Sequence, residues 1–361
     1  MARCQFCQAE IDRASRFCGS CGQPLRPGEF GTAGSTRHGG MEVGLRLVCF
    51  FASAASVGAL LAKLYGLASM RQFGLWVALP CALLVMGIWT WARRNGKPDL
   101  VADLEVGFCG GLLATIAYDL VRIPFHLAGQ RIFAPISAFG IWLTDAGRSS
   151  QLTETVGWTY HYSNGILFGV MYALFMRGRH WFWAVVWACA LETLAIFCPF
   201  GRVFHLRGNV PGIAIAYLGH VAYGLPLGWL VQQSKSTRAW LSTVPAPVWY
   251  FGGMLVCASL VGPFLSPVLE SSPRERGFRV AGSRLTPDWL RIERGEPIQI
   301  FNPQAEAVDV VERPGNEVTR IPAGQSRAFR LSAPGIVQFF VQTDRPSHSS
   351  LVIVEPAEDS E

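Results

Sequence analysis

Hydrophobic and polar positions divide the chain into three zones. Residues 1–43 are mostly polar, 44–268 carry long apolar runs, and 278–356 carry short runs of alternating character. The middle zone holds seven runs of about 20 residues, the length a helix needs to cross a bilayer core. They are 44–65, 73–92, 104–125, 157–176, 181–200, 210–231 and 247–268. A further run, 131–146, is short and broken by Pro135. It reads as a re-entrant or interfacial segment, with an eighth span as the alternative. In the last zone "FRVAG", "WLRIERG", "PIQIFN", "AVDVVE", "SRAFRL", "IVQFFVQ" and "SLVIVE" are separated by turn residues, the pattern of a β-sandwich. The pattern therefore predicts a multi-domain chain. A small module at 1–25 is followed by a flexible linker at 26–43 and an α-helical transmembrane bundle of about seven spans at 44–268. A linker at 269–277 then leads to a β-sandwich at 278–356.

Composition sharpens the membrane reading. The chain is 50% hydrophobic and only 16% charged, against about 25% charged in ordinary soluble domains. Most tryptophans fall within 76–249, many at the ends of apolar runs, as interface belts require. The net charge of +6 comes with no basic stripe and no interleaved aromatics, so the lipid bilayer is the expected partner and nucleic acid is not. Cations follow the second run (Arg93, Arg94, Lys97), the fourth (Arg177, Arg179) and the sixth (Lys235, Arg238). The positive-inside rule then expects a multi-pass protein of the inner, cytoplasmic membrane. Its N-terminus would be cytoplasmic and its β-sandwich external. No secretory signal pattern opens the sequence.

The first 25 residues carry metal-site spacing. Cys4-x2-Cys7 is followed, ten residues on, by Cys18-x2-Cys21. Two such pairs can give four thiolates to a tetrahedral Zn²⁺, and Gly22 permits the turn after the second. A dithiol redox pair and an iron site are the alternatives. The segment resembles the short zinc-ribbon at the N-termini of many bacterial membrane proteins, with "FCGSCGQPL" as its second knuckle. That resemblance implies a structural zinc on Cys4, Cys7, Cys18 and Cys21, which supplies the folding energy of so small a module. It also implies a role in partner binding, since four cysteines leave no open metal position. The other six cysteines are scattered through apolar runs and make no disulfide framework.

Within the apolar zone a few polar residues stand out. Asp119, Arg122 and His126 share a helix face by their i, i+3, i+7 spacing, and His161 and Asn164 share another. Glu192 interrupts "WACALETLAIF", and His220 sits in "YLGHVAYG". Each charge at bilayer depth costs about 2.5–3.5 kcal/mol on insertion scales, so such groups usually turn inward and pair. Counting residues from the span ends places Asp119, His161, Glu192 and His220 at similar depth, between the outer surface and the midplane. One expectation is a shared outward-facing cavity holding Asp119, Arg122, His161, Asn164, Glu192 and His220 and binding a metal, haem or solute. The other is structural packing, with Asp119 closed onto Arg122 and Asn or His as helix glue. The glycines of "NGILFG" and "HVAYGLPLG" permit close helix approach under either.

The order of the C-terminal strands resembles the cupredoxin family, through "LTPDWLRIERGEPIQIFNPQAEAVDVV" and "IPAGQSRAFRLSAPGIVQFFVQ". A blue-copper centre needs two His and a Cys thiolate, usually with an axial Met. The resemblance places these near Ala307–Val308, Val341, Arg345 and His348, and none but His348 is a ligand type. No blue copper is expected, and the domain is expected to serve as an interaction or capping module. No transporter signature, nucleophile elbow or phosphate loop is present. The function expected is binding or assembly by an integral membrane protein, with protein partners at either soluble module. The alternatives are a membrane metal or haem redox enzyme using His161, His220, Glu192 and Asp119, and a small-solute or metal-ion transporter.

Overall fold

The helices begin where the sequence supplies starts. Helix α1 spans Gly40–Leu64, α2 Met70–Phe73, α3 Leu79–Arg94 and α4 Pro98–Leu127. Between α2 and α3 lies one π-helical stretch, Gly74–Ala78. Pro80, in the first turn of α3, would clash with a carbonyl four residues back, and the widened turn relieves this. Helix α4 opens on Pro98, with Asp99 in its first turn, where the helix dipole favours an acid. Helix α5 is Ala134–Thr144, α6 Gln151–Met176, α7 Phe182–Phe197, α8 Pro199–Val203 and α9 Val210–Gln232. Ser150 caps α6, its hydroxyl accepting from the Thr153 amide while the Thr153 hydroxyl accepts from the Ser150 amide.

This computed structural model describes residues 2–3, 10–11, 20, 40–128, 130–233, 252–254, 256–258, 277–313, 315–342 and 349–355. Residues 1–48 and 49–361 are separate units. In the first unit, strand β1 (Ala2–Arg3) pairs antiparallel with β2 (Glu10–Ile11). Cys4, Cys7, Cys18 and Cys21 lie outside the described residues.

The expectation of seven spans needs correction. Among the described residues four helical stretches are long and apolar enough to cross a membrane: Met41–Leu64, Met70–Arg94, Pro98–Leu127 and Val210–Gln232. Helix α6 is long, but from Gln151 to Asn164 it carries Thr, Glu, His, Ser and Asn among its apolar residues. Helix α7, at 16 residues, falls short in length. Of the run 247–268 only 252–254 and 256–258 are described, as helix. The 131–146 segment forms the 11-residue α5, which at about 1.5 Å per residue is too short to cross.

The second unit also contains the β-sandwich. Its strands are β3 (Gly277–Ala281), β4 (Arg284–Thr286), β5 (Trp289–Glu293), β6 (Pro297–Phe301), β7 (Val308–Arg313), β8 (Glu317–Ile321), β9 (Ser326–Arg330), β10 (Gly335–Val341) and β11 (Ser350–Glu355). One sheet has the order β5-β11-β10-β7-β8 and the other β4-β3-β6-β9. The β11–β5 and β3–β6 pairs are parallel, and the remaining pairs are antiparallel. Phe278, Ile298, Ile300, Val310, Phe339 and Val352 fill the space between the sheets.

Strand β11 of the five-stranded sheet is buried on both faces, which explains why "SLVIVE" reads as a continuous apolar run. Val352 and Val354 enter the sandwich core, while Leu351 and Ile353 pack with Ala138, Phe139, Trp142 and Tyr160 of the helical region. The loop after α5 continues this joint. Arg148 forms a β-bridge with Leu290, the Arg291 amide donates to the Gly147 carbonyl at 2.8 Å, and the Trp289 amide donates to the Ser149 hydroxyl at 3.2 Å.

Charges clamp the same joint. Glu355 accepts from Lys63 at 2.5 Å, from Trp142 Nε1 at 3.0 Å and from Arg291 Nε at 3.0 Å. Arg291 also pairs with Asp145, holding that carboxyl below its usual range. The sandwich is thus docked on one end of the bundle.

Candidate functional site

Two glycine-lined helix crossings set the site. On α4, Gly107 and Gly111 face Gly165 and Gly169 of α6. A Cβ on Gly111 would lie 2.7 Å from the Gly165 carbonyl, and one on Gly169 would lie 2.5 Å from the Gly107 carbonyl. These are two GxxxG pairs packed against each other, the arrangement that lets helix backbones approach in membranes. On α9, Gly224 and Gly228 press against Val185 and Trp181, where a Cβ would stand 2.5 Å and 2.3 Å from backbone atoms. The polar residues of each helix pair lie a turn or two beyond its glycine contacts.

The first crossing brings Asp119 of α4 to His161 of α6. His161 Nε2 lies 3.0 Å from Asp119 Oδ1 and 3.2 Å from Oδ2, so Nε2 is the nitrogen that donates to the carboxylate. The second brings Glu192 of α7 to His220 of α9. His220 Nδ1 lies 2.9 Å from the Ala216 carbonyl and 3.4 Å from Glu192 Oε2; both are acceptors, which places the hydrogen on Nδ1.

Tyr118 stands between the two pairs. Its ring centroid is 5.9 Å from that of His161 and 5.0 Å from that of His220, and the Arg122 guanidinium stacks on it at 4.4 Å. Tyr118 carries no charge to draw attention, yet its spacing of four from Arg122 gives it the same helix face. That was the available signal.

Arg122 donates to the Ile132 carbonyl and also stacks on Phe133 at 4.9 Å. Among the described residues it forms no ion pair with Asp119, which turns to His161 instead. Asp119, Glu192 and Arg122 are buried, at 3%, 5% and 8% exposure. Among the described residues, Arg122 Nε, Glu192 Oε1 and Asn164 Oδ1 find no hydrogen-bond partner.

These groups meet at a cavity of about 1190 Å³. Arg122, His161, Asn164, Glu192, His220 and Tyr118 line it. Asp119 stands behind His161 and reaches the cavity through that ring. Apolar side chains such as Leu60, Phe168 and Phe204 make much of the wall, and Arg313, Gln338, Phe340 and Gln342 of the sandwich close one side.

At the far end of the bundle the structure shows partners that the sequence analysis passed over. Arg177 pairs with Asp99 at 3.0 Å and with buried Asp103 at 2.7 Å. Glu105 accepts from Trp89 Nε1 at 3.2 Å, and Arg93 lies 3.9 Å away.

The donor sets bear on metals. The two carboxylate–histidine pairs are held apart by the Tyr118 ring, and among the described residues no three His, Cys, Asp or Glu gather as a metal-holding group. In the sandwich, Val341 is buried in the core at the expected thiolate position, and Val308 packs against that core at the expected upstream His position. Aliphatic side chains do not ligate copper, so the residues present do not fit a blue-copper centre. Arg345 and His348 lie outside the described residues.

Comparison with known proteins touches only the sandwich. The C-terminal region resembles amicyanin from Paracoccus versutus at 17% identity, covering 24% of this chain and 86% of that one, with a TM-score of 0.21. It resembles a purple cupredoxin from Nitrosopumilus maritimus at 17% identity over 21% of this chain and 87% of that one, with a TM-score of 0.18. A Cu-containing nitrite reductase from Thermus scotoductus is similar at 16% identity over 25% and 24% of the two chains, with a TM-score of 0.20. No family model and no curated protein matches the chain.

Proposed function

We propose that this is an integral membrane protein that binds a small molecule in a cavity within its helical bundle, with its own β-sandwich as the cap. The observation that carries this reading is the cavity itself, about 1190 Å³ with a largely apolar wall on which Arg122, His161, Asn164, Glu192 and His220 converge. A concave, mostly apolar site with a few convergent polar groups is the usual form of a small-molecule site. Two separated carboxylate–histidine pairs favour a hydrogen-bonded organic ligand over a metal ion. Native mass spectrometry of the full chain released from lipid nanodiscs should show a bound species at up to one per chain. Ile215→Trp, which fills the cavity wall, should reduce it. A bare mass for the unaltered chain would refute the reading.

Two further assignments belong to the same proposal. The sandwich lies on the external side of the cytoplasmic membrane. Arg93, Arg94 and Lys97, with Arg177 and Arg179, end helices at the opposite end of the bundle, the side expected to face the cytoplasm. Ser283→Cys should react with an impermeant maleimide in intact cells once any outer membrane is permeabilised. Labelling only after inner-membrane lysis would reverse the orientation. At the N-terminus, Cys4, Cys7, Cys18 and Cys21 hold one structural Zn²⁺. Metal analysis should give one zinc per chain, lost on Cys18→Ser with Cys21→Ser.

A further inference from the structure

We infer that the free half of the five-stranded sheet rests on the phospholipid surface of the leaflet on the sandwich side. Val318 lies against the lipids, and Arg313 and Arg320 stand at the level of their phosphates. This goes beyond the cavity reading and does not depend on what the cavity binds.

Strand register places an apolar row on one face of the sheet. Phe340 of β10 stands opposite Val311 of β7, which stands opposite Val318 of β8. Phe339 and Val310 enter the sandwich core, so the row lies on the opposite face. That is the face docked on the bundle: Ile336, four residues before Phe340, packs with the helical region, as do Leu351 and Ile353. Phe340 and Arg313 then line the cavity. The bundle thus covers the β11 side of this face, and the β8 side continues past it. Strands twist by about 20–25° each, so β8 is turned by well under a right angle from β10. Val318 is 54% exposed, the one exposed large apolar side chain of the sandwich among the described residues.

Lipid reaches this end of the bundle. Lys63 and His205 mark the end that meets the sandwich, through Glu355 and through the Ile336 carbonyl at 2.6 Å. Close to them in the chain, Leu67, Phe197 and Val210 are exposed apolar side chains. Such a rim around a membrane bundle is met by lipid, which brings headgroups up to the overhanging sheet.

The flanks of the row suit headgroups. On one side Arg313, opposite Gln338, stacks on Phe340 at 4.8 Å. On the other side exposed Arg320 stands opposite Asp309. Arginines beside an apolar strip can lay their stems along it and give their guanidinium groups to phosphate. Three apolar side chains and two arginines are too little surface for a stable second copy, which needs about 800 Å² per partner.

Photo-crosslinking tests this on the full chain in nanodiscs of equal parts phosphatidylcholine and phosphatidylglycerol. Val318→p-benzoylphenylalanine places the probe on the row. Ala328→p-benzoylphenylalanine places it on the exposed outward face of the other sheet, as the control. Both variants are first matched to the parent by elution profile, and adducts are then read by intact mass after irradiation. The probe at position 318 should gain the mass of one phospholipid, in at least tenfold greater yield than the probe at 328. Arg313→Gln with Arg320→Gln, added to the probe at 318, should lower that yield at least threefold. Equal lipid yield at the two positions, or none at 318, would overturn the proposal. A chain-to-chain adduct at 318 would overturn it in favour of a second copy. Unchanged yield without the two arginines would overturn the part given to phosphate.

Discussion

Two charged clusters in this molecule use similar residues and reach opposite outcomes. At the joint between sandwich and bundle, Glu355 meets Lys63, Trp142 and Arg291, and both of its oxygens are occupied. Beside the cavity, Glu192 has one oxygen near His220, and among the described residues its other oxygen and Arg122 Nε find no hydrogen-bond partner. Burial alone does not separate the two clusters. Saturation does. A closed network orders two parts of a fold, whereas an open one keeps capacity for a molecule that is not part of the chain.

The largest effect should come from the scaffold beneath the open cluster. Gly111→Val would drive a side chain into the backbone of Gly165 and Ile166. Separation of α4 from α6 should cost about 3 kcal/mol or more. The expected outcome is loss of the monodisperse folded protein on size-exclusion chromatography, and a normal elution profile would contradict the crossing.

Next in size is the closed cluster. Glu355→Ala leaves Lys63 and Arg291 facing an empty site, and breaking a part-buried pair of this kind should cost about 3 kcal/mol. Limited proteolysis should then cut between bundle and sandwich faster than in the parent chain.

Glu192→Gln should behave differently. It keeps the shape, replaces a buried carboxyl that is only partly hydrogen-bonded among the described residues, and should move stability by less than about 1 kcal/mol in thermal melts. Glu355→Gln should lower stability more than Glu192→Gln does. Equal losses would erase the contrast between the clusters.

The smallest effect is acid sensitivity at the joint. Arg291 holds the Asp145 carboxyl below its usual range. A depressed carboxyl stabilises the folded state above its unfolded pKa, and that contribution is lost as pH falls through the folded pKa. Asp145 is half exposed, so the change should be small. Amide protection at Gly147–Ser149, taken relative to the intrinsic exchange rate at each pH, should fall as the pH drops below the carboxylate range, and Asp145→Asn should remove that part of the response.

Much of the architecture was legible in the sequence because period and length report burial directly. The alternation of "PIQIFN" marked a strand with one buried face, and β6 has that pattern. The span count failed where length and polarity disagree: α6 is long but polar in its first half, and α7 is apolar but short. The docking of the sandwich was hidden because its contacts are long-range. Nothing local to Glu355 says that Lys63 lies beside it.

In the site, single residues were easier to see than partners. The i, i+3 spacing made Asp119 and Arg122 look like a pair, yet Asp119 turns to α6 and Arg122 to Tyr118 and the Ile132 carbonyl. Tyr118 was missed because an aromatic residue in an apolar run reads as ordinary packing. Asp103 and Glu105 were missed because acids near a helix start look like solvated end residues, though both are buried.

The central claim is that the cavity lined by Arg122, His161, Glu192 and His220 holds a ligand. A density map of the full chain purified with its native lipids tests it most directly. The account predicts density for a bound molecule in the cavity, against the wall that carries Arg122, His161, Glu192 and His220. An empty cavity with Arg122 and Glu192 closed onto each other would contradict it.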